Sequence, residues 1–260
     1  MNRTGSAPRR AAGRPWLLAC AFGTAALACS SAALAVGAAA CTATSGPTAV
    51  HVVELYTSEG CSSCPPADRW LSRLQDRPDV VGLAFHVDYW DRLGWKDRFA
   101  SPVFTRRQAE QQAINGARFS YTPQVVVDGQ DRKDWPRWSA AAARMPAPVG
   151  IVLRRRGQQV VAEVTPTAEA PRRLAAYWAV TEFGHRTVVK AGENDGATLE
   201  HDFIVRVYQP VAAWTAAGGA SRQLDFAVPM HGDAGHARRV TLVVVDGISG
   251  RPLQALALRC

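Results

Sequence analysis

Residues 49–88, AVHVVELYTSEGCSSCPPADRWLSRLQDRPDVVGLAFHVD, decide the fold. The apolar run Ala49 to Thr57 reads as a buried strand, Ala67 to Arg77 as an amphipathic helix with Trp70, Leu71 and Leu74 on one side, and Val80 to Val87 as a second buried strand. A strand, helix and strand of these lengths imply a right-handed parallel crossover. Both strands then end at one sheet edge, and the loop Cys61-Ser62-Ser63-Cys64 lies there. His86 and Asp88, two apart at the end of the second strand, are expected to project to one face near that edge, although packing or capping explains them as simply.

Two cysteines separated by two residues close a small disulfide ring, and positive charge or a helix N-terminus beside them makes one thiol a nucleophile. The same spacing occurs in zinc sites, but zinc normally takes four ligands and the chain has no second CxxC or HxxxH-type pair. Redox chemistry is therefore favoured over a structural clip, and no metal or cofactor is assigned. Pro65 and Pro66 disfavour helical geometry in the residues before them, so the helix is expected to begin at Pro66, leaving Cys61 without full support from the helix dipole. Glu59 would raise a neighbouring thiol's pKa.

Residues 1–40 read as a signal peptide or N-terminal anchor: Arg3, Arg9, Arg10 and Arg14 precede an uncharged, alanine-rich stretch with small-residue cleavage sites at Ala33-Leu34-Ala35 and Ala38-Ala39-Ala40. The protein is accordingly expected to be exported, periplasmic or extracellular, touching a membrane only through an uncleaved or lipidated N-terminus. Residues 41–48 are expected to be a flexible tail, with Cys41 lipidated or free and Cys260 free. The chain carries 30 Lys+Arg against 22 Asp+Glu, but four of the arginines lie in residues 1–40, leaving 26 minus 22, or +4, for the remainder. That surplus, with scattered arginines and no recognition-helix or RNA-binding signature, argues against nucleic acid.

Residues 88–113 are aromatic and charged at first and then helical from Pro102 to Ala113. Trp90, Trp95 and Phe99 are candidates for a substrate groove over the thiol edge, or for filling between helix and sheet. Tyr121-Thr122-Pro123-Gln124 leads into a strand ending in the hairpin signal Asp128-Gly129, and a proline just before a buried strand marks a turn or a cis bond. Met145-Pro146-Ala147-Pro148 marks a change from alternating strands and helices to strand after strand, so a domain over 49–146 and a β-rich, sandwich-like domain over 149–260 are expected. Glu193, Asn194, Asp195 and Gly196 form a turn that either solvates a loop or completes a site at the junction.

Strand, CxxC, helix, strand and a Thr-Pro ahead of a hairpin resemble the order of the thioredoxin fold, with Pro123 in the place of its cis-proline and Asp134 to Arg144 in the place of its last helix. The phrases VELYTSEGCSSCPPAD, FHVDYWDRLGWKDRFASPVFTRRQ, YTPQVVVDG and GENDGATLEHDFIVR are similar to a bacterial secreted-protein family known as domain of unknown function 1223. The resemblance implies an α/β thioredoxin-like domain with a helical insertion followed by a β-rich C-terminal domain. It names no substrate.

The expected function is thiol-disulfide exchange with a protein thiol or disulfide as partner: Cys61 forms the mixed disulfide, Cys64 resolves it and Pro123 presents substrate backbone. Glu54, His86, Asp88 and Thr122 are the candidate supporting residues. The alternatives are a non-enzymatic binding or chaperone-like module held by a structural Cys61-Cys64 disulfide, and a copper or zinc carrier using Cys61, Cys64 and His86.

Overall fold

The computed structural model describes residues 41–141, 144–216, 219–229 and 235–259. Residues 1–40, expected to be a signal peptide or anchor, and Cys260 lie outside them. Along the chain run β1 (Cys41–Thr44), β2 (His51–Thr57), α1 (Pro65–Ser72), β3 (Val80–His86), α2 (Pro102–Ile114), β4 (Gln124–Val127) and β5 (Gln130–Asp131). Then follow β6 (Val149–Arg156), β7 (Gln159–Pro166), β8 (Arg173–Glu182), β9 (His185–Val188) and β10 (Thr198–His201). The last strands are β11 (Ile204–Thr215), β12 (Arg222–Ala227), β13 (Arg238–Asp246) and β14 (Pro252–Leu258).

The crossover read from residues 49–88 is present. β2 and β3 pair in parallel from His51 opposite Val80 to Thr57 opposite His86. α1 begins at Pro65 with Cys64 as its N-cap, one residue earlier than expected, because prolines in a helix's first two positions forgo only amides that have no acceptor there. It ends at Ser72, and turns carry the chain from Arg73 to Pro78. α2 starts where the Ser-Pro signal places it, the Ser101 hydroxyl accepting from the Val103 amide. Asp128 and Gly129, both at positive φ, make the predicted hairpin between β4 and β5.

The expectation of an α/β thioredoxin-like domain with a helical insertion is corrected by the sheet. β14-β13-β8-β11-β3-β2-β4-β5 form one eight-stranded mixed sheet, and the described residues contain two α-helices. Strands from both sides of residues 146–149 share it. β3 is joined to β11 in parallel, with Ile204 opposite Ala84 and the Ala84 amide donating to the Phe203 carbonyl at 2.8 Å. The Phe203 ring sits on Gly82, where a Cβ would come within 2.9 Å of it, so glycine is what lets the strands meet. In the segment expected as a final helix, 134–144, the described residues hold a 3-10 turn from Trp135 to Arg137 and no α-helix; the Trp135 and Trp138 rings pack against Trp70 of α1.

A second sheet, β1-β6-β7-β12, covers the C-terminal strands of the large one. Ile151, Leu153, Ala162 and Val164 meet Ala176, Trp178, Val180 and Leu242 across that interface, with Trp178 stacked on Phe226 at 5.1 Å. Each buried Val or Leu there contributes about 1.5–3 kcal/mol. Residues 41–44, expected as tail, are the edge strand β1 paired with β6. Cys41 is disulfide-bonded, which corrects its expected lipidated or free state. A buried glutamine explains why the following segment is ordered: Gln254 Oε1 accepts from the Val50 amide, and Nε2 donates to the carbonyls of Gly46 and Thr48. No helix among the described residues is long and apolar enough to cross a membrane.

Strand alternation gives the large sheet two distinct faces around β2 and β3. Val52, Tyr56, Leu83 and Phe85 face α2, while Val53, Leu55 and Ala84 pack with Ala67, Trp70 and Leu71 of α1.

Candidate functional site

Cys61 and Cys64 form a disulfide with Cα atoms 5.4 Å apart. Both are fully buried, whereas Ser62 and Ser63 between them are exposed. Three pieces of chain cover the pair. The Thr122 hydroxyl, next to the cis Thr122-Pro123 bond, donates to Cys61 Sγ at 3.2 Å and accepts from Trp90 Nε1 at 2.8 Å. With one lone pair taken by the indole N–H, the hydroxyl proton is directed at sulfur. Ser63 Oγ lies 3.4 Å from the same sulfur.

The third piece comes from the hairpin of β9 and β10. Glu193 accepts from the Ser62 amide and hydroxyl at 3.0 and 2.8 Å, and Asn194 Nδ2 donates to the carbonyls of Glu59 and Cys61 at 2.8 and 3.0 Å. Gly192, at φ +77°, lets this turn close against Trp95. The Glu193-Asn194 turn read as solvated loop or junction site is thus a clamp on the CxxC loop. Hydrogen bonding by Ser62 holds the Glu193 carboxyl below its ordinary value.

The other sequence candidates separate. Glu54 is buried on the α2 face of β2, where its carboxylate accepts from Arg107 Nη2 at 2.8 Å, Tyr56 Oη at 2.6 Å and Tyr177 Oη at 2.7 Å. Burial raises its carboxyl, but the Arg107 charge and these hydrogen bonds outweigh burial and leave it below the ordinary 4.5. Its bonds tie β2 to α2 and β8; none reaches the cysteines. Asp88 turns to α2, giving its amide to Thr105 Oγ1 and accepting the Thr105 hydroxyl proton.

His86 goes the other way, to the α1 face. Its Nδ1 lies 2.7 Å from Asp97 Oδ2, and Asp97 is fixed by the amides of Glu59 and Phe99 at 2.9 Å each. Trp95 and Phe99, expected as groove wall, belong to this buried cluster. Trp95 Nε1 donates to Glu59 Oε2 at 2.8 Å, and the Phe99 ring packs against His86, His185 and His201. Of the proposed groove residues, Trp90 is the one that hydrogen-bonds to the Thr122 hydroxyl reaching Cys61. Asp68, one turn beyond Cys64, takes a hydrogen bond from Thr57 on Oδ2 at 3.0 Å. His201 on β10 places Nε2 3.5 Å from Glu59 Oε1 and Nδ1 3.9 Å from Asp68 Oδ1.

Electrostatics within the cluster is uneven. Burial pulls the His86 pKa down, but the Asp97 carboxylate outweighs it and raises the value; Asp97, with burial opposing, is lowered by the same pairing. Burial also opposes Glu59, whose value is nevertheless lowered, chiefly by His201. Asp68 is the exception: burial dominates over the nearby histidines and raises its carboxyl above the ordinary range. Sequence spacing missed Asp68, Glu59, Asp97 and His201 as a group, because they come together only through tertiary structure.

A protein of Agrobacterium tumefaciens known from its X-ray crystal structure is similar in fold, with a TM-score of 0.61 and 27% identity, over 82% of this chain and 96% of that one. HBP35 of Porphyromonas gingivalis has a TM-score of 0.58 over 82% of this chain and 76% of that one, and at 14% identity the likeness concerns the fold alone. No curated protein matches. The model of the family described as protein of unknown function (DUF1223) matches residues 52–246, and the chain belongs to that family.

Proposed function

We propose that the protein is an exported thiol-disulfide exchange protein in which Cys61 is the sulfur that forms the mixed disulfide. The observation that carries this reading is the Thr122 hydroxyl, oriented by Trp90 and aimed at Cys61 Sγ. A donor in that position stabilises a thiolate on Cys61 more than on Cys64. In the reductive direction the Cys61 thiolate attacks a substrate disulfide and releases one substrate thiolate. The Cys64 thiolate then attacks Cys61 Sγ, the second substrate thiolate leaves, and two electrons have passed to the substrate. In the oxidative direction the same steps run backwards.

The complete burial of both cysteines adds a condition. A partner reaches Cys61 only when the Glu193-Asn194 clamp or the Thr122 loop moves aside, so exchange is gated. Exposed Ser62 and Ser63 mark the side of approach. Residues 1–40 support placement outside the cytoplasm, where a disulfide of this kind persists.

The same burial favours a second reading, in which the bond is a permanent clip bracing a binding module. A redox titration separates the two. Exchange predicts equilibration with glutathione buffers and, in Cys64→Ser, mixed disulfides trapped on Cys61. A pair still oxidised below about −300 mV is a clip. Trapping that required a free Cys64 would reverse the two roles.

A further inference from the structure

We infer that Asp68, His86 and His201 form a binding site for one divalent first-row transition ion, of the kind represented by Zn²⁺, on the α1 face of the large sheet. One donor atom from each residue lies within 4.8 Å of the donors of the other two. All three residues are buried, His86 completely and His201 and Asp68 at 3% and 7% exposure. His86 Nε2 and both His201 ring nitrogens have no hydrogen-bond partner among the described residues. Buried polar atoms are seldom left so, since each costs about 1–3 kcal/mol unless something satisfies it.

Each histidine has a carboxylate beside the nitrogen turned away from the site, hydrogen-bonded at 2.7 Å for His86 and 3.5 Å away for His201. Asp97 holds His86 Nδ1 and leaves Nε2 as the donor; Glu59 faces His201 Nε2 and leaves Nδ1, the nitrogen nearer Asp68, as the second. This is the arrangement by which proteins fix the tautomer of a ligating imidazole and raise its basicity. Thr57 holds Asp68 Oδ2, leaving Oδ1 for the ion.

Two imidazoles and a carboxylate suit a borderline ion such as Zn²⁺ rather than Ca²⁺ or Mg²⁺, which prefer all-oxygen shells. Bonds of about 2.0–2.1 Å require donors closer than 4.8 Å, so binding draws Asp68 and His201 in toward His86, which Asp97 holds in place. A cavity of about 80 Å³ bounded by Pro65, Asp68, Arg69, Glu200 and His201 gives entry from solvent and space for water on an open coordination position. The site draws on β3, α1 and β10 and uses neither cysteine, so it stands independently of the exchange reading.

The test is calorimetric titration of Zn²⁺ into chelator-treated protein with the Cys61-Cys64 bond oxidised, repeated with Co²⁺ as a spectroscopic probe. One ion per chain is expected, with a Co²⁺ spectrum free of thiolate charge-transfer bands. Asp68→Asn and His201→Gln, checked for folding by circular dichroism, should each lower affinity by at least about 100-fold, and Glu59→Gln by about 10- to 100-fold. Absence of stoichiometric binding by the unsubstituted protein would overturn the assignment and make the cluster an internal hydrogen-bonding network. So would binding that persists unchanged in folded Asp68→Asn and His201→Gln, or a thiolate band in the Co²⁺ spectrum.

Discussion

Two buried carboxylate clusters lie on opposite faces of the same strands. Around Glu54, one arginine and two tyrosine hydroxyls converge on the carboxylate with hydrogen bonds of 2.6–2.8 Å. Around Asp68, His86 and His201, donor atoms lie within 4.8 Å of one another without hydrogen-bonding, and ring nitrogens are left open. A cluster whose central charge is already fully bonded holds elements together and has nothing left to offer a ligand. One whose donors converge without meeting is built around something else, and the contrast turns on which atoms are satisfied, since burial is alike in both.

The largest break of that contrast is Arg107→Met, which strands the Glu54 charge. A loss of about 3–5 kcal/mol in denaturant unfolding at neutral pH is expected. The pH dependence carries a sign. Because Glu54 in the native protein lies below its ordinary value, its contribution is fully present above the unfolded carboxylate pKa and is lost as pH falls through the lowered folded one. In Arg107→Met the carboxylate has no cation, so the deficit should shrink on acidification as Glu54 takes up a proton. A deficit that grows in acid would mean that Arg107 acts through packing alone.

Asp97→Asn comes next. The new amide nitrogen has to face one of the donors that Asp97 now accepts from, His86 Nδ1 or the amides of Glu59 and Phe99, at a cost of about 1–3 kcal/mol. Unchanged stability would show that the neighbouring cluster rearranges freely and that His86 is not held. Tyr177→Phe removes one bond from an otherwise saturated carboxylate and should cost about 1 kcal/mol in the same measurement.

The smallest effect on stability belongs to Glu193→Ala. It lies on the exposed side of the clamp and should change unfolding free energy by no more than about 0.5 kcal/mol. Reduction of Cys61-Cys64 by a small dithiol should nonetheless quicken several-fold, as one of the two clamping residues no longer holds Ser62. If Asn194 alone closes the loop, stopped-flow reduction rates will match those of the unsubstituted protein.

Local signals in the sequence carried much of the neighbourhood of the cysteines. The strands β2 and β3, the start of α2 and the Asp128-Gly129 hairpin follow from apolar runs, a Ser-Pro cap and turn chemistry, all written within a few residues, whereas the approach of the Thr122-Pro123 loop to the cysteines came from the resemblance to the thioredoxin order. What local pattern cannot carry is pairing between distant strands. Nothing near Ala84 announces that Ile204 will lie beside it, so the shared sheet and the loss of the expected α/β architecture were invisible. The same limit applies to the buried cluster. Asp68, His86 and His201 sit on three elements with no spacing rule among them, and the Glu193-Asn194 turn looks like any solvated loop until its hairpin folds back. Glu54 misled differently, because a carboxylate on the strand before a CxxC shows its position but not its face.

The junction of β3 with β11 also bears on how the chain reaches this structure. It joins Ala84 to residues 203 and 204, and closing so long a loop costs entropy that a short stretch of parallel pairing does little to offset. The β2-α1-β3 crossover and the hairpins of the C-terminal strands involve much shorter loops and would form first, with the wide sheet completed when the two meet. Until then β3 exposes an apolar edge in an environment without ATP-driven chaperones if the protein is exported, and Gly82, which admits Phe203 to that edge, becomes a determinant of folding yield as well as of the finished sheet.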